Sequence, residues 1–126
     1  MKKLFFAVVL PLILLSCGKF EEEDFGYPKD VTFSSNGGEQ VISVDDAEQF
    51  SHVVIIDYNT AAEGMYITND DGSGYNELEW LRVETESRFS TKLKIIAEPN
   101  TTGEKRKLWI ELISAYKYHV IEVEQS

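Results

Sequence analysis

The sequence predicts an all-β domain, folded as a two-sheet sandwich of about seven or eight short antiparallel strands. From Asp30 onward, apolar and polar residues alternate with a period of two, which is typical of half-buried strands. No segment carries the apolar stripe of an amphipathic helix. Clusters of Gly, Pro, Asn, Asp and Ser separate the alternating segments at fairly regular spacing, as expected for a sandwich.

The first strands follow one another closely. Val31 and Phe33 alternate with polar neighbours, and residues 34–38 form a glycine-containing turn before a second strand around Ile42. All four residues of a continuous apolar run at residues 53–56 are β-branched, which favours a strand covered on both faces over a short helix.

The pattern weakens between residues 59 and 76. This insertion contains one short strand at Met65–Thr68 and a loop of Asn, Asp, Gly and Ser at residues 69–74. Strands resume at residues 78–84 and at Lys92–Ala97, and a turn follows at residues 99–103.

The last thirty residues predict a hairpin with a defined register. Two alternating segments flank a short turn near residues 114–116. Placing Ile110 opposite Ile121 buries one row of aliphatic side chains and exposes the other. The same register pairs Leu108 with Val123 on the inner face, and Lys107 with Glu124 and Ile113 with Tyr118 on the outer face.

The N-terminus predicts secretion and lipidation. Lys2 and Lys3 precede twelve residues, 4–15, that are apolar and too few to span a bilayer, so residues 1–16 are interpreted as a signal peptide. Residues 14–17 resemble the lipobox of bacterial lipoproteins, which implies that Cys17 is acylated and becomes the new N-terminus. Cys17 is the chain's single cysteine, so the mature chain forms no internal disulfide.

An acidic tether is predicted at residues 17–29, ahead of the domain at residues 30–126. Four consecutive acids at residues 21–24 indicate a solvated spacer. Lys19 followed by these acids resembles the surface-export signal of Bacteroidetes lipoproteins. We therefore expect an outer-membrane location, facing the cell surface, with the periplasmic face as the alternative.

The charge of the chain limits its partners. Loss of the signal removes Lys2 and Lys3 and no acid, so the formal net charge of −10 becomes −12. Such a field repels nucleic acid and anionic lipid headgroups, and we expect no nucleic-acid partner. Attachment to the membrane would come from the acyl chains on Cys17.

The residues from Asp30 to Gln125 resemble the BACON domain. The resemblance rests on a glycine turn at residues 37–38, a tryptophan-leucine step, an asparagine before an arginine-led strand, and a closing valine-x-glutamine: Trp80, Leu81, Asn100, Arg106, Val123 and Gln125. Phe50 stands where the family usually has a second tryptophan. The resemblance implies an immunoglobulin-like β-sandwich of Bacteroidetes surface proteins, a packing role for Trp80, and a binding function.

Catalytic and metal sites are not predicted. No nucleophile elbow, phosphate-binding loop or HExxH pattern is present. His119 shares the parity of Ile121 and is expected as a hydrogen-bonded residue at the edge of the core, whereas His52 lies in an earlier strand. Asp70, Asp71 and Ser73 lack the alternation of a calcium loop and are interpreted as a polar turn. We therefore expect neither a metal nor a cofactor.

Aromatic side chains are the candidate ligand-binding residues. Trp109 alternates with the buried row, so it is expected to point away from the core as an exposed indole, unless the 59–76 insertion or the tether covers it. The other candidates are Tyr58, Tyr66, Tyr75 and Tyr118. The predicted function is non-catalytic capture of a glycan or adhesion, and the alternative is a structural or accessory role in which another envelope protein is bound.

Overall fold

The computed structural model describes residues 21–22, 26–44, 50–86, 91–114 and 117–126. The predicted signal peptide, Cys17 and Lys19 lie outside these residues, as do Glu23 and Asp24 of the acidic run. Among the described residues, no helix is long and apolar enough to cross a membrane.

Within the described residues, eleven strands form two sheets packed face to face, so the predicted all-β sandwich is confirmed. Sheet A has the order β1-β11-β10-β4-β5, with β2 also paired to β11, and sheet B has the order β3-β9-β8-β7-β6. The strands are β1 (Glu21–Glu22), β2 (Asp30–Phe33), β3 (Gly38–Ser43), β4 (His52–Asp57), β5 (Ala62–Glu63), β6 (Met65–Thr68), β7 (Gly74–Leu78), β8 (Leu81–Thr85), β9 (Lys92–Ala97), β10 (Arg106–Ser114) and β11 (Lys117–Gln125).

The register predicted for the C-terminal hairpin is confirmed. Ile110 pairs with Ile121, and the other three predicted pairs follow in step along β10 and β11. The inner row is buried because it faces sheet B, while the outer row stays partly accessible except at Trp109. Alternation alone therefore specified this hairpin, since a shift of one residue would have exposed every aliphatic side chain.

The core is filled by the inward rows of both sheets. Sheet B contributes Leu81 and Val83 from β8 and Leu93 and Ile95 from β9, all without solvent exposure. Phe50, just before β4 of sheet A, is also in the core. The predicted strand at residues 78–84 is interrupted, because a two-residue turn after Leu78 separates β7 from β8 and turns the chain back on itself.

The N-terminal strands pair in parallel, which differs from the antiparallel arrangement expected throughout. β1 and β2 lie one after the other along the same edge of β11. Parallel pairing is possible because β11 is the last strand, so a long stretch of chain separates the partners. Between them Tyr27 is buried in the core, and His119 shares a 2.9 Å hydrogen bond with the Pro28 carbonyl. Parts of the segment predicted as a solvated spacer thus belong to the folded domain.

The 59–76 insertion carries the chain from one sheet to the other. β5 pairs with β4 in sheet A, β6 pairs with β7 in sheet B, and Gly64 lies between them. The Gly64 N–H donates to the Ile55 carbonyl at 2.7 Å. A Cβ at this position would lie 2.1 Å from Oδ1 of Asn76 and 2.9 Å from the Glu77 carbonyl oxygen. Only a glycine fits this close approach of the two sheets.

Gly64→Ala should therefore destabilise the fold by about 1–3 kcal/mol, because the methyl group must displace the Asn76 amide. Chemical denaturation of the wild type and variant measures the difference. The control is the same substitution in an Asn76→Ala background, where the obstructing oxygen is absent and Gly64→Ala should cost less. Equal costs in both backgrounds would contradict the proposed contact.

Candidate binding surfaces and the family motif

The residues that carry the family resemblance converge at one end of the sandwich. Gln125 has no solvent exposure, and its Nε2 donates to the carbonyls of Ser34 and Glu98 at 3.0 and 2.8 Å. Its Oε1 accepts from Nε of Arg106 at 2.8 Å. The Arg106 guanidinium in turn lies 4.7 Å from the centre of the Trp80 ring. A single buried amide thus connects the end of β11 to two turns and to β10.

Asn100 completes this cluster. Its Nδ2 donates to the carbonyls of Glu104 and Ser126 at 2.7 and 3.0 Å, and its Oδ1 accepts from the backbone and hydroxyl of Thr102. Its own N–H donates to the Ser35 carbonyl at 2.7 Å. The cluster supplies hydrogen bonds to backbone carbonyls where the strands end. The family motif is accordingly scaffold, and Trp80 packs as predicted.

The outer face of sheet B carries a groove of about 520 Å³. A row of side chains crosses all five strands here, because the register places them side by side on the same face. The row runs Val41, Lys94, Glu84, Tyr75 and Ile67 from β3 to β6. The groove therefore presents one aromatic ring among charged and aliphatic neighbours.

Tyr75 is the aromatic centre of this groove. The Arg82 guanidinium lies over its ring, 3.7 Å from the centroid. Nε of Arg82 donates to Glu84 at 2.9 Å, and its Nη1 lies 3.6 Å from a Glu77 carboxylate oxygen. Stacking and two carboxylates hold the guanidinium plane in one orientation.

The remaining charges of the groove are also paired. Nζ of Lys94 lies 3.4 Å from Glu39, and Nζ of Lys92 lies 3.1 Å from Glu86. Such exposed pairs add little to stability. They do leave the groove with matched charges, which suits a ligand that is rich in hydrogen-bonding groups and carries little net charge.

Trp109 is not the exposed indole that the alternation suggested. It does lie on the outer face of sheet A, opposite in parity to Leu108 and Ile110, but only 7% of it is accessible. The Tyr58 ring packs on it at a centroid distance of 5.0 Å. The expectation of exposure is wrong because Tyr58, the residue before the insertion, packs over the sheet.

Tyr58 also contacts a partly buried acid. Its hydroxyl donates to Oε2 of Glu111 at 2.5 Å. Burial raises the pKa of Glu111 above its ordinary value of 4.5, the Tyr58 hydrogen bond opposes this shift, and the nearby Glu63 charge adds to it. The fold thus brings Tyr58 and Trp109 together, but Tyr58 covers the Trp109 ring, which is therefore buried.

The other predicted binding residues are dispersed. Tyr66 is 40% exposed, and its hydroxyl lies 3.0 Å from Oγ1 of Thr85 at the rim between the sheets. Tyr118 is half-buried on the outer face of sheet A, opposite Ile113. Among the five aromatic candidates, therefore, Tyr75 alone lies in the sheet B groove. Cys17 lies outside the described residues, so its acylation stays a prediction.

The histidines and the acidic loop have local roles. His119 is buried and hydrogen-bonded, as expected, and Nδ1 of His52 lies 2.9 Å from the Ser51 hydroxyl. Asp71 accepts from the N–H and hydroxyl of Ser73 at 3.0 and 2.6 Å, which lowers the pKa of its carboxyl. These bonds build the β6–β7 turn. Across the described part of the chain, no three His, Cys, Asp or Glu side chains are grouped to hold a metal ion.

Sequence reasoning missed the charged residues of the groove, above all Arg82 and Glu84. Their alternation with Leu81 and Val83 shows that they face outward. It does not show that they adjoin Tyr75, because that depends on the order of strands in sheet B.

Gln125→Leu should lower the free energy of unfolding by about 2–4 kcal/mol, because it removes all three hydrogen bonds of a buried amide and takes the acceptor from the Arg106 Nε–H. Thermal and denaturant unfolding measure the loss. Glu124→Gln, one residue earlier, removes only a long contact of 3.9 Å with Lys107 and serves as the control, with a change below about 0.5 kcal/mol. Similar losses in both variants would contradict the role of the amide.

Glu111→Gln should make stability less sensitive to pH. Because the folded state raises the pKa of Glu111, the protonated carboxyl favours folding below about pH 4.5, and this contribution is lost as the pH rises through the raised pKa. As the pH rises from 4 to 8, the free energy of unfolding of the variant should therefore increase relative to that of the wild type. Urea unfolding at each pH measures this difference.

A second variant tests the cause of this pH dependence. Tyr58→Phe removes the hydrogen bond that lowers the pKa of Glu111, so its stability should fall further than that of the wild type as the pH rises. If the free energies of unfolding of Glu111→Gln and the wild type change equally with pH across this range, burial of the carboxyl has no effect on stability.

Comparison with known proteins supports the family resemblance for the C-terminal part of the chain. The BACON family model, described as "Putative binding domain, N-terminal", matches residues 68–126, from the last residue of β6 to the end of the chain. No curated protein matches the chain. A solved structure titled "NMR structure of the protein from Bacteroides thetaiotaomicron" is similar at 11% identity and a TM-score of 0.47, covering 79% of this chain and 77% of that one. Residues 68–126 thus match the BACON family model, in agreement with the resemblance that the tryptophan, asparagine, arginine and glutamine residues of this part of the chain implied.

Proposed function

We propose that this chain is a non-catalytic binding module that holds a glycan in the groove of sheet B. The family is described as a binding domain, which supports binding of some partner. The observation that carries the proposal is the 520 Å³ groove, in which Tyr75 and Arg82 stack between carboxylates on a rigid sheet.

The chemistry of the groove suits a saccharide. A sugar ring has an apolar C–H face, which packs on aromatic and aliphatic surface such as Tyr75 and Val41. Its hydroxyls need both donors and acceptors, which the Arg82 guanidinium and the Glu84 carboxylate supply. Since the charged side chains of the groove are paired with one another, an uncharged glycan could bind without leaving an unmatched charge.

We further propose that acylated Cys17 holds the module at the outer membrane, facing the cell surface. The described chain enters the domain through β1, at the edge of sheet A. The groove lies on the opposite layer of the sandwich. An anchor that leads to sheet A would leave sheet B directed away from the lipid, which is the orientation that glycan capture needs.

Binding of another envelope protein is the second candidate. Three aliphatic or thioether side chains are exposed on this outer face or its edge: Val41 at 56%, Met65 at 74% and Ile67 at 41%. Exposed apolar groups of this size are typical of surfaces that contact other proteins. They flank the Tyr75 groove on two sides, so the same face could serve a protein partner instead.

Tyr75→Ala should weaken glycan binding at least tenfold, because it removes the stacking surface and releases Arg82. A polysaccharide array followed by calorimetry on the responding glycan measures the effect. Tyr118→Ala, a half-buried tyrosine on the opposite sheet, is the matched control and should bind as the wild type does. Equal loss in both variants, or no response to any polysaccharide, would contradict the glycan proposal and favour a protein partner.

Cys17→Ala should abolish incorporation of an alkyne-labelled palmitate and release the protein from the membrane fraction, because acyl chains supply the whole attachment. Protease treatment of intact cells then tests which face the wild-type domain occupies. Labelling that persists in Cys17→Ala would refute the anchor. Protection from protease in intact cells would place the domain in the periplasm.

A further inference from the structure

Sheets A and B separate from a single point beside Gly64. Up to Gly64 the chain pairs with β4, and beyond it β6 follows β7 into the other sheet. The separation opens a cleft of about 250 Å³, which we call the β4–β6 cleft. It is lined by Ser51, His52, Tyr66, Thr68 and Gly72.

The turn between β6 and β7 determines which backbone groups face the cleft. The Asn69 N–H donates to the Ser73 carbonyl at 2.8 Å, and the Gly72 N–H donates to the Asn69 carbonyl at 3.1 Å. Residues 69 and 73 are therefore a hydrogen-bonded pair. Because such pairs alternate along an antiparallel ladder, Ile67 and Met65 also bond to β7. The N–H and C=O groups of Tyr66 and Thr68 consequently point away from β7.

The facing side of β4 follows by the same alternation. The Ile55 carbonyl accepts from Gly64, so Val53, two residues earlier, directs its N–H and C=O toward the same side. Among the described strands, none pairs with β4 on this side before Ile55. Oδ1 of Asn76 accepts the Ile55 N–H at 2.9 Å and marks the point where the two strands diverge.

Within the described residues, the edge of β6 carries none of the features by which sheets usually prevent pairing with another chain. Natural edge strands carry lysines, prolines, bulges or covering loops. β6 reads Met-Tyr-Ile-Thr, and all four of its residues are exposed. Met65 is 74% accessible and Ile67 41%. An uncharged, exposed edge with outward backbone groups is the kind of surface that an added strand recognises.

We propose that the β4–β6 cleft receives an extended, basic segment of a partner protein, which pairs with β6 by strand addition. Backbone groups that alternate in this way are matched only by another extended polypeptide. Exposed acids stand at both ends of β6, Glu63 before it and Asp70 and Asp71 after it, and they favour a cationic segment. This site is separate from the glycan groove and does not depend on it.

A second copy of the chain fits this edge less well. Antiparallel pairing of two β6 strands would bring Glu63 of one copy beside Asp70 and Asp71 of the other. Like charges placed opposite one another repel, and the chain as a whole is strongly acidic. The charge distribution therefore favours a basic partner over self-association.

Amide hydrogen exchange of the purified full chain tests the free edge itself. We expect the amides of Met65 and Ile67 to be protected by β7, and those of Tyr66 and Thr68 to exchange at least tenfold faster. Uniform protection along β6 would mean that the edge is already paired, and would overturn the proposal.

The second experiment uses a capped nine-residue peptide of alternating lysine and valine as the probe. We expect NMR shift changes at Tyr66 and Thr68 and slower exchange of both amides on binding. The matched control is the same peptide N-methylated at every second residue, which removes the donors on one edge and should bind at least tenfold more weakly. Equal binding of the two peptides, or no binding, would overturn the proposal.

A protein variant provides an independent check. Thr68→Pro removes an outward N–H without touching the bonds to β7, and proline is tolerated at such edge positions. It should weaken binding of the unmethylated peptide at least tenfold, whereas Ile67→Thr, which keeps the outward backbone groups, should bind as the wild type does. A concentration-dependent dimer that Thr68→Pro abolishes would show that a second copy, and not a basic segment, occupies the edge.

Discussion

Gln125 is buried at the end of the last strand and uses both ends of its amide, donating to two turn carbonyls and accepting from Arg106. A sandwich without disulfides must close its ends in this way, because strands that leave a sheet expose backbone groups that water does not reach. Asn100 serves the same purpose beside it, and Asn76 does so where the two sheets diverge.

These buried amides separate scaffold from surface. The Trp80, Asn100, Arg106 and Gln125 cluster, which carries the family resemblance, is used for packing and hydrogen bonds within the domain. The outward-facing residues can therefore change, and with them the ligand that is bound, while the fold stays the same. The outward row around Tyr75 is the surface on which such variation would act.

The insertion at residues 59–76 shapes both surfaces that the proposals use. Immediately before it, Tyr58 packs on Trp109 and covers the outer face of sheet A at that point. The second half of the insertion forms β6 and most of the turn to β7, which extends sheet B by one strand and widens its outer face. The crossing at Gly64 leaves the edges of β4 and β6 facing each other across a cleft.

The sequence predicted the strands of the C-terminal half and the register of the hairpin around Ile110 and Ile121, because a period of two assigns each side chain to a face. It also indicated the family, through residues that later proved to be packing and hydrogen-bonding partners. The parallel pairing of β1 and β2 with β11 was not predictable, since partners so distant in sequence leave no local pattern.

Alternation and turn-forming residues specify locally which side chains face inward and where the chain turns, so both could be read from the sequence. Which outward residues become neighbours depends on the packing of the two sheets. Trp109 had the parity of an exposed residue, yet Tyr58 covers it, and Arg82 joins Tyr75 through strand pairing across a turn. Contacts across strands depend on the order and packing of the sheets, which alternation does not encode.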